Sequence, residues 1–285
     1  MAEFKIVGKI DLSKFDLKKE AILPEKYLGF LGEELSSMSK ETNLLYGNIL
    51  DSEGLLTMEG PEAESHQNII RDKEKNWASN IGLGVEEWKR KREKNPSIIA
   101  EMAVVTLLHR FLKDRFLVAR ASAYDDYEYG MDNVLLDKET GSVICGFDQV
   151  LVMGQDEEDN KKKEKMEKML LRGGAILEYG VILDEDKKIK RGRIGNIPAF
   201  FLAITKKDLS DLLLDLKNNS DSSGVTKKIL NQILISIKKQ QRTAEDLLEK
   251  SDQNIKYRKL LDNLDKFKES FKIIEDKINL MNNEN

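Results

Sequence analysis

Residues 131–153 read MDNVLLDKETGSVICGFDQVLVM. Two apolar runs, one through Val134-Leu135-Leu136 and one from Val143 to Met153, flank the polar segment Lys138-Glu139-Thr140-Gly141-Ser142, a pattern that predicts a β-hairpin. Aspartate is disfavoured in strands, yet Asp132 opens the first run and Asp148 lies inside the second. If Asp137 pairs with Val143, the register puts Asp132 directly opposite Asp148. Like charges opposed across a ladder repel, so such a pair makes sense mainly around a cation.

Upstream of the hairpin, Phe116–Tyr124 also has strand character. Before it, Asn95-Pro96-Ser97 is a helix-start signal with Ser97 as N-cap. The helix that follows, about Ile98 to Lys113, is apolar on nearly every side and is expected to be buried. Glu101 is the only charge between Ile98 and Leu108. A buried carboxylate needs a partner, a proton or a metal ion, because leaving it unpaired costs several kcal/mol. Downstream, a charged helix is predicted from about Asp159 to Arg172, ended by Gly173-Gly174. Two strands, Ala175–Leu183 and Ile197–Thr205, flank a basic connection, and a helix from about Lys207 to Lys217 closes the segment. The order α-β-β-β-α-β-β-α argues for an α/β (α+β) domain with one mixed sheet flanked by helices.

Around this core, residues 1–95 read as a short N-terminal strand (Met1–Ile10) followed by helices and turns. The core itself occupies 96–217. Asn218 to Gly224 is a linker, and 225–281 is a C-terminal helical or coiled-coil-like extension. Its later half carries Tyr257, Leu260, Leu264, Phe267, Phe271, Ile274 and Ile278 at alternating spacings of three and four. That pair of helices could fold back on itself, dock on the core, or dimerise or take a partner protein.

Charged residues are 34% of the chain and the formal net charge is −4. An acidic balance speaks against broad coating of nucleic acid, although local basic runs could hold phosphates. The candidates are Lys187, Lys188, Lys190, Arg191 and Arg193, Lys89–Lys94, and Lys161–Lys163, and the plainer reading of each taken singly is a solvated helix face or hairpin tip. No apolar stretch is long enough to cross a bilayer, and the single cysteine, Cys145, has no partner in the chain, which leads to the expectation of a cytoplasmic protein with no membrane association. Trp77 and Trp88 read as packing anchors. His66 and His109 are far apart, and the spacings of metalloproteases, zinc fingers and phosphate loops are absent.

The acids are the remaining chemistry. Glu101, Asp132 and Asp148 come from a helix and two adjacent strands, and three carboxylates suit the oxygen preference of Mg²⁺ or Mn²⁺. Such ions acidify a bound water and neutralise phosphate oxygens. Asp125 and Asp126 add to the local acidity, with a turn-capping role as their plainer reading.

In this arrangement residues 97–205 resemble the PD-(D/E)XK nuclease superfamily, whose fold is restriction-endonuclease-like. Glu101 matches the helix acid of that family, Asp132 within Gly130-Met131-Asp132-Asn133-Val134 the strand aspartate, and Asp148 the first acid of the acidic-x-Lys triplet. The resemblance implies a Mg²⁺-dependent endonuclease hydrolysing phosphodiester bonds of DNA, or less readily RNA. The triplet here reads Asp148-Gln149-Val150, with valine in place of the lysine that orients the attacking water. Loss of such a group costs on the order of a hundredfold or more in rate. Lys161 or Lys165 from the next helix, or Gln149 on a bulged strand, could substitute. The alternative is a nuclease-fold protein that binds nucleic acid or a partner without cleaving. A third reading is an α/β domain whose acids are merely salt-bridged.

Overall fold

The computed structural model describes residues 24–152, 164, 168–169, 172–218, 223–249 and 255–283. The expected N-terminal strand and most of the expected helix from Asp159 to Arg172 lie outside them. Within them the chain is a mixture of helices and strands, as its periodicities imply.

Among the described residues a 3-10 turn (Pro24–Tyr27) and three α-helices precede the core: α1 (Leu28–Tyr46), α2 (Ala63–Asn80) and α3 (Val85–Glu93). The buried helix α4 runs from Pro96 to Leu112. Its N-cap is Asn95, not Ser97: the Asn95 side chain accepts from the Ser97 backbone N–H at 3.0 Å. Pro96 then occupies the first helical position, where its fixed φ is favourable and its missing N–H costs nothing. Ile99, Ala103, Val104, Val105, Leu107 and Leu108 are all buried, as an apolar circumference requires.

Strand β1 (Phe116–Arg120) is shorter than its apolar run suggests. The chain turns at Ser122 into helix α5 (Ala123–Tyr129), where the Ser122 hydroxyl accepts from Asp125 N and Gly130 closes the helix in the left-handed conformation at φ 65°. The cap chemistry of Ser122 and the left-handed tolerance of Gly130 outweigh the strand preference of the residues between them.

Strands β2 (Asn133–Asp137) and β3 (Val143–Val152) form the expected hairpin, but not with the expected pairing at its tip. Leu136, not Asp137, faces Val143, and a bulge between Leu135 and Leu136 shifts the register. Beyond the bulge Asn133 faces Phe147, and Asp132 and Asp148 are the residues that follow this last pair on the two sides. The extra residue of the bulge moves Asn133 onto Phe147 from Gly146, where the tip register would have placed it, and so sets Asp132 and Asp148 at the same end of the strand pair.

A single sheet is not what the chain builds. The basic connection is itself a strand: β4 (Ala175–Leu183) and β5 (Ile189–Ile197) make a separate antiparallel pair. After Pro198, strand β6 (Ala199–Thr205) joins the first sheet parallel to β3, giving the order β1-β2-β3-β6. Helix α6 (Lys206–Lys217) follows, capped by Thr205.

The C-terminal helices α7 (Gly224–Glu249) and α8 (Ile255–Asn283) dock on this core. Leu260, Leu264, Phe267, Phe271, Ile274 and Ile278 are buried in the same apolar cluster as α4 and β1–β3. The Phe267 ring centroid lies 4.7 Å from that of Phe200 of β6. Ser270 of α8 donates to Asp137, which also binds Arg115 at 2.8 Å, so the hairpin tip is tied to the last helix. Among the described residues, no helix is long and apolar enough to cross a membrane.

Candidate functional site

Glu101 occupies the second turn of α4, facing the ends of β1–β3, and is 9% exposed. It lines one pocket of about 830 Å³ together with Asp132, Asp148, Gln149 and Asp126. These residues come from a helix, a hairpin and the short helix α5, and are brought together only by tertiary packing.

The geometry inside the pocket is specific. Asp132 stands just before β2, its backbone N–H donates to Phe147 O at 2.9 Å, and its carboxylate accepts from the Gln149 backbone N–H at 2.5 Å. The side chain thus takes the place of a ladder carbonyl at the end of the strand pair. Asp148, on the next strand, is 9% exposed. The Arg120 guanidinium at the end of β1 lies 3.6 Å from Glu101. Asp126 is engaged by Arg92 of α3 at 3.1 Å.

Burial drives the electrostatics. Desolvation raises the Glu101 carboxyl to about 7, Arg120 and Arg92 oppose the rise, and Asp126 and Asp148 add to it. Asp132 is pushed well above the usual carboxylate range, first by burial and then by Glu101, Asp148 and Asp126, with the Gln149 N–H pulling the other way. Acids facing one another in a partly dry pocket cannot all ionise without cost.

The other expected site residues are elsewhere. Asp125 is fully buried and structural: it accepts from the backbone N–H groups of Glu178 (2.6 Å) and Tyr179 (3.2 Å) and from the Ser122 hydroxyl (2.8 Å), fastening α5 to β4. The basic run does not reach the acids. Lys187, at φ 61° in the β4–β5 turn, donates to the carbonyls of Lys138 and Glu139. Lys188 pairs with Asp186, Lys190 with Asp184, Arg191 with Glu59 and Arg193 with Glu178. Once β5 pairs with β4, these side chains are committed to that hairpin and its neighbours, away from the pocket. Lys161 and Lys165 lie outside the described residues. Val150 lines the pocket and is buried, so its position offers no ammonium. His66 stacks on Tyr124 and shares a 2.8 Å hydrogen bond with Tyr179, and His109 sits 3.6 Å from Glu41, both apart from the acids.

Lys91 and Arg92, which line the pocket, belong to the basic run Lys89–Lys94 already marked as able to hold phosphate, whereas Arg120 and the aromatic wall of Trp77, Trp88 and Tyr127 were not singled out from the sequence as parts of a site. Oxygen-only donors suit a hard cation. Among the described residues, however, no three His, Cys, Asp or Glu side chains are grouped so as to hold a metal ion. The acids share a pocket without a preformed ligand shell, and Arg120 supplies positive charge at Glu101. No family model, curated protein or solved structure matches this chain.

Proposed function

We propose that the pocket is the site of a metal-dependent nuclease that hydrolyses phosphodiester bonds of nucleic acid, DNA foremost. One observation carries this reading: Asp132, one residue before β2, and Asp148 of β3 share a pocket with Glu101, and burial together with the neighbouring acids raises the carboxyls of Glu101 and Asp132. Their repulsion is what a divalent cation relieves. Further support comes from the order of a helix acid, a strand acid and an acid on the paired strand, which follows the PD-(D/E)XK resemblance.

Glu101, Asp132 and Asp148 would have to close from their present spacing into a common shell to hold Mg²⁺ or Mn²⁺, which when bound would supply an acidified water and neutralise charge on the phosphate. The chain's own contributions are separate. Arg92 and Lys91 line the same pocket and offer cationic donors to a phosphate. Arg120 holds the Glu101 carboxylate when it is ionised. The Gln149 N–H fixes the Asp132 carboxylate in orientation.

The second reading, a nuclease-fold protein that binds without cleaving, is favoured by Val150 at the lysine position and by Arg120 already serving Glu101. Thermal unfolding with and without millimolar Mn²⁺ separates the cases, because a ligand of the folded state raises the melting temperature. The nuclease reading requires a rise in wild type, lost in Asp132→Asn and Asp148→Asn, together with cleavage of labelled DNA or RNA. A rise without cleavage supports the binding protein. No rise in wild type refutes the cation site.

A further inference from the structure

Resting on the phosphodiester reading of the pocket, we infer that Trp77, Trp88 and Tyr127 form a stacking platform for a nucleobase of a single-stranded segment whose phosphate meets Arg92 and Lys91. The platform is one wall of the pocket whose floor carries the acids. Trp77 projects from α2, Trp88 from α3 and Tyr127 from α5, with ring centroids 5.7 Å apart for Trp77–Trp88 and 4.8 Å for Trp77–Tyr127.

The Tyr127 ring is held before any ligand arrives. Tyr127 Oη donates to Glu74 (3.1 Å) and accepts from Arg92 (2.6 Å), while Lys89 pairs with Glu74 at 3.0 Å. Arg92 lies over both Trp88 (5.7 Å) and Tyr127 (4.9 Å), which places a guanidinium beside the aromatic faces. Lys91 is exposed and only loosely paired, 3.9 Å from Glu87.

Were the tryptophans packing anchors alone, burial would be expected, yet Trp77 is 38% exposed and the neighbouring Ile81 on the same wall is 61% exposed. A ligand matching this wall carries a flat π face within one residue of an anion, and a nucleotide does so. In a duplex each base face is covered by its neighbours, so stacking on a pocket wall needs an unpaired or splayed nucleotide. A net charge of −4 also leaves little general field for wrapping a duplex.

The chain has two tryptophans, and both are in this wall, so intrinsic fluorescence reports on it directly. The experiment titrates the full chain at low salt, in EDTA, with a short oligothymidylate and with a duplex of equal length. Expected are saturable quenching by the single strand, weaker binding of the duplex, affinity reduced roughly tenfold in Trp77→Ala, and near-normal affinity in Trp77→Phe, since base–aromatic stacking contributes about 1–3 kcal/mol. Unchanged wild-type emission at saturating single strand overturns the inference. So does a duplex that binds at least as tightly, or undiminished affinity in Trp77→Ala. Because EDTA removes cleavage from the readout, single-strand binding by a protein that never hydrolyses upholds the platform while the nuclease reading fails. Hydrolysis without any tryptophan response does the reverse.

Discussion

Replacing Glu101 by glutamine tests the electrostatics of the pocket without changing its shape. The Glu101 carboxyl is raised from 4.5 to about 7, chiefly by burial. Between those values the folded chain keeps a proton that the unfolded chain has released. Stability therefore declines as pH rises through this window and levels off above about 7. A gap of this size corresponds to about 3 kcal/mol, most of it falling between pH 5 and pH 8. The substituted amide cannot titrate, so the loss is absent from the variant. Urea unfolding followed by far-UV circular dichroism, without divalent ions, is expected to show Glu101→Gln close to wild type near pH 5. Near pH 8 the variant should be more stable by about 2–3 kcal/mol. Carboxylates remote from the pocket titrate alike in both proteins and cancel in the difference, whereas Asp132, which the Glu101 charge pushes upward, is raised less in the variant and adds to its gain at high pH. If that difference is flat across the range, Arg120 fully compensates Glu101, and the picture of mutually repelling acids is wrong.

The same repulsion makes cation binding pH-dependent: the Mn²⁺-induced rise in melting temperature should be larger near pH 8 than near pH 5, where protons compete for the carboxylates, and equal shifts would contradict this. Asp125→Ala removes the acceptor of the Glu178 and Tyr179 N–H groups and the Ser122 hydroxyl. A loss of about 2–4 kcal/mol in denaturant unfolding is expected, with the Mn²⁺ increment retained because Asp125 does not line the pocket. Phe267→Ala empties a site of no exposure between Phe200 and Phe271. It should cost about 3–5 kcal/mol at any protein concentration, whereas a seam used only for dimerisation would give a concentration-dependent loss.

Much of the core was legible locally. Helix α4 follows from an apolar circumference behind a start signal, and the β2–β3 hairpin from two apolar runs around a polar turn. Both acids of the hairpin stood out because aspartate is poorly suited to strands. The errors have physical causes. Residues 121–124 continue an apolar run, but the Ser122 cap and the Gly130 stop turn the chain into α5. The basic stretch from Lys187 to Arg193 reads as a connection between two strands. Its backbone instead pairs with β4, and its charges are taken up by Asp184, Glu178 and Glu59.

Local chemistry was enough to set most of the elements and to mark three acids as out of place in apolar surroundings, because capping, periodicity and strand preference act over a few residues. Where those acids meet was left to long-range packing. A bulge set Asp132 and Asp148 at the same end of the strand pair, the packing of α2, α3 and α5 brought a tryptophan wall and Arg92 to the pocket, and a seam that could have joined two chains closed over its own core. Each of those outcomes depends on which distant surfaces bury one another, and that balance is struck by the whole chain rather than by any window within it.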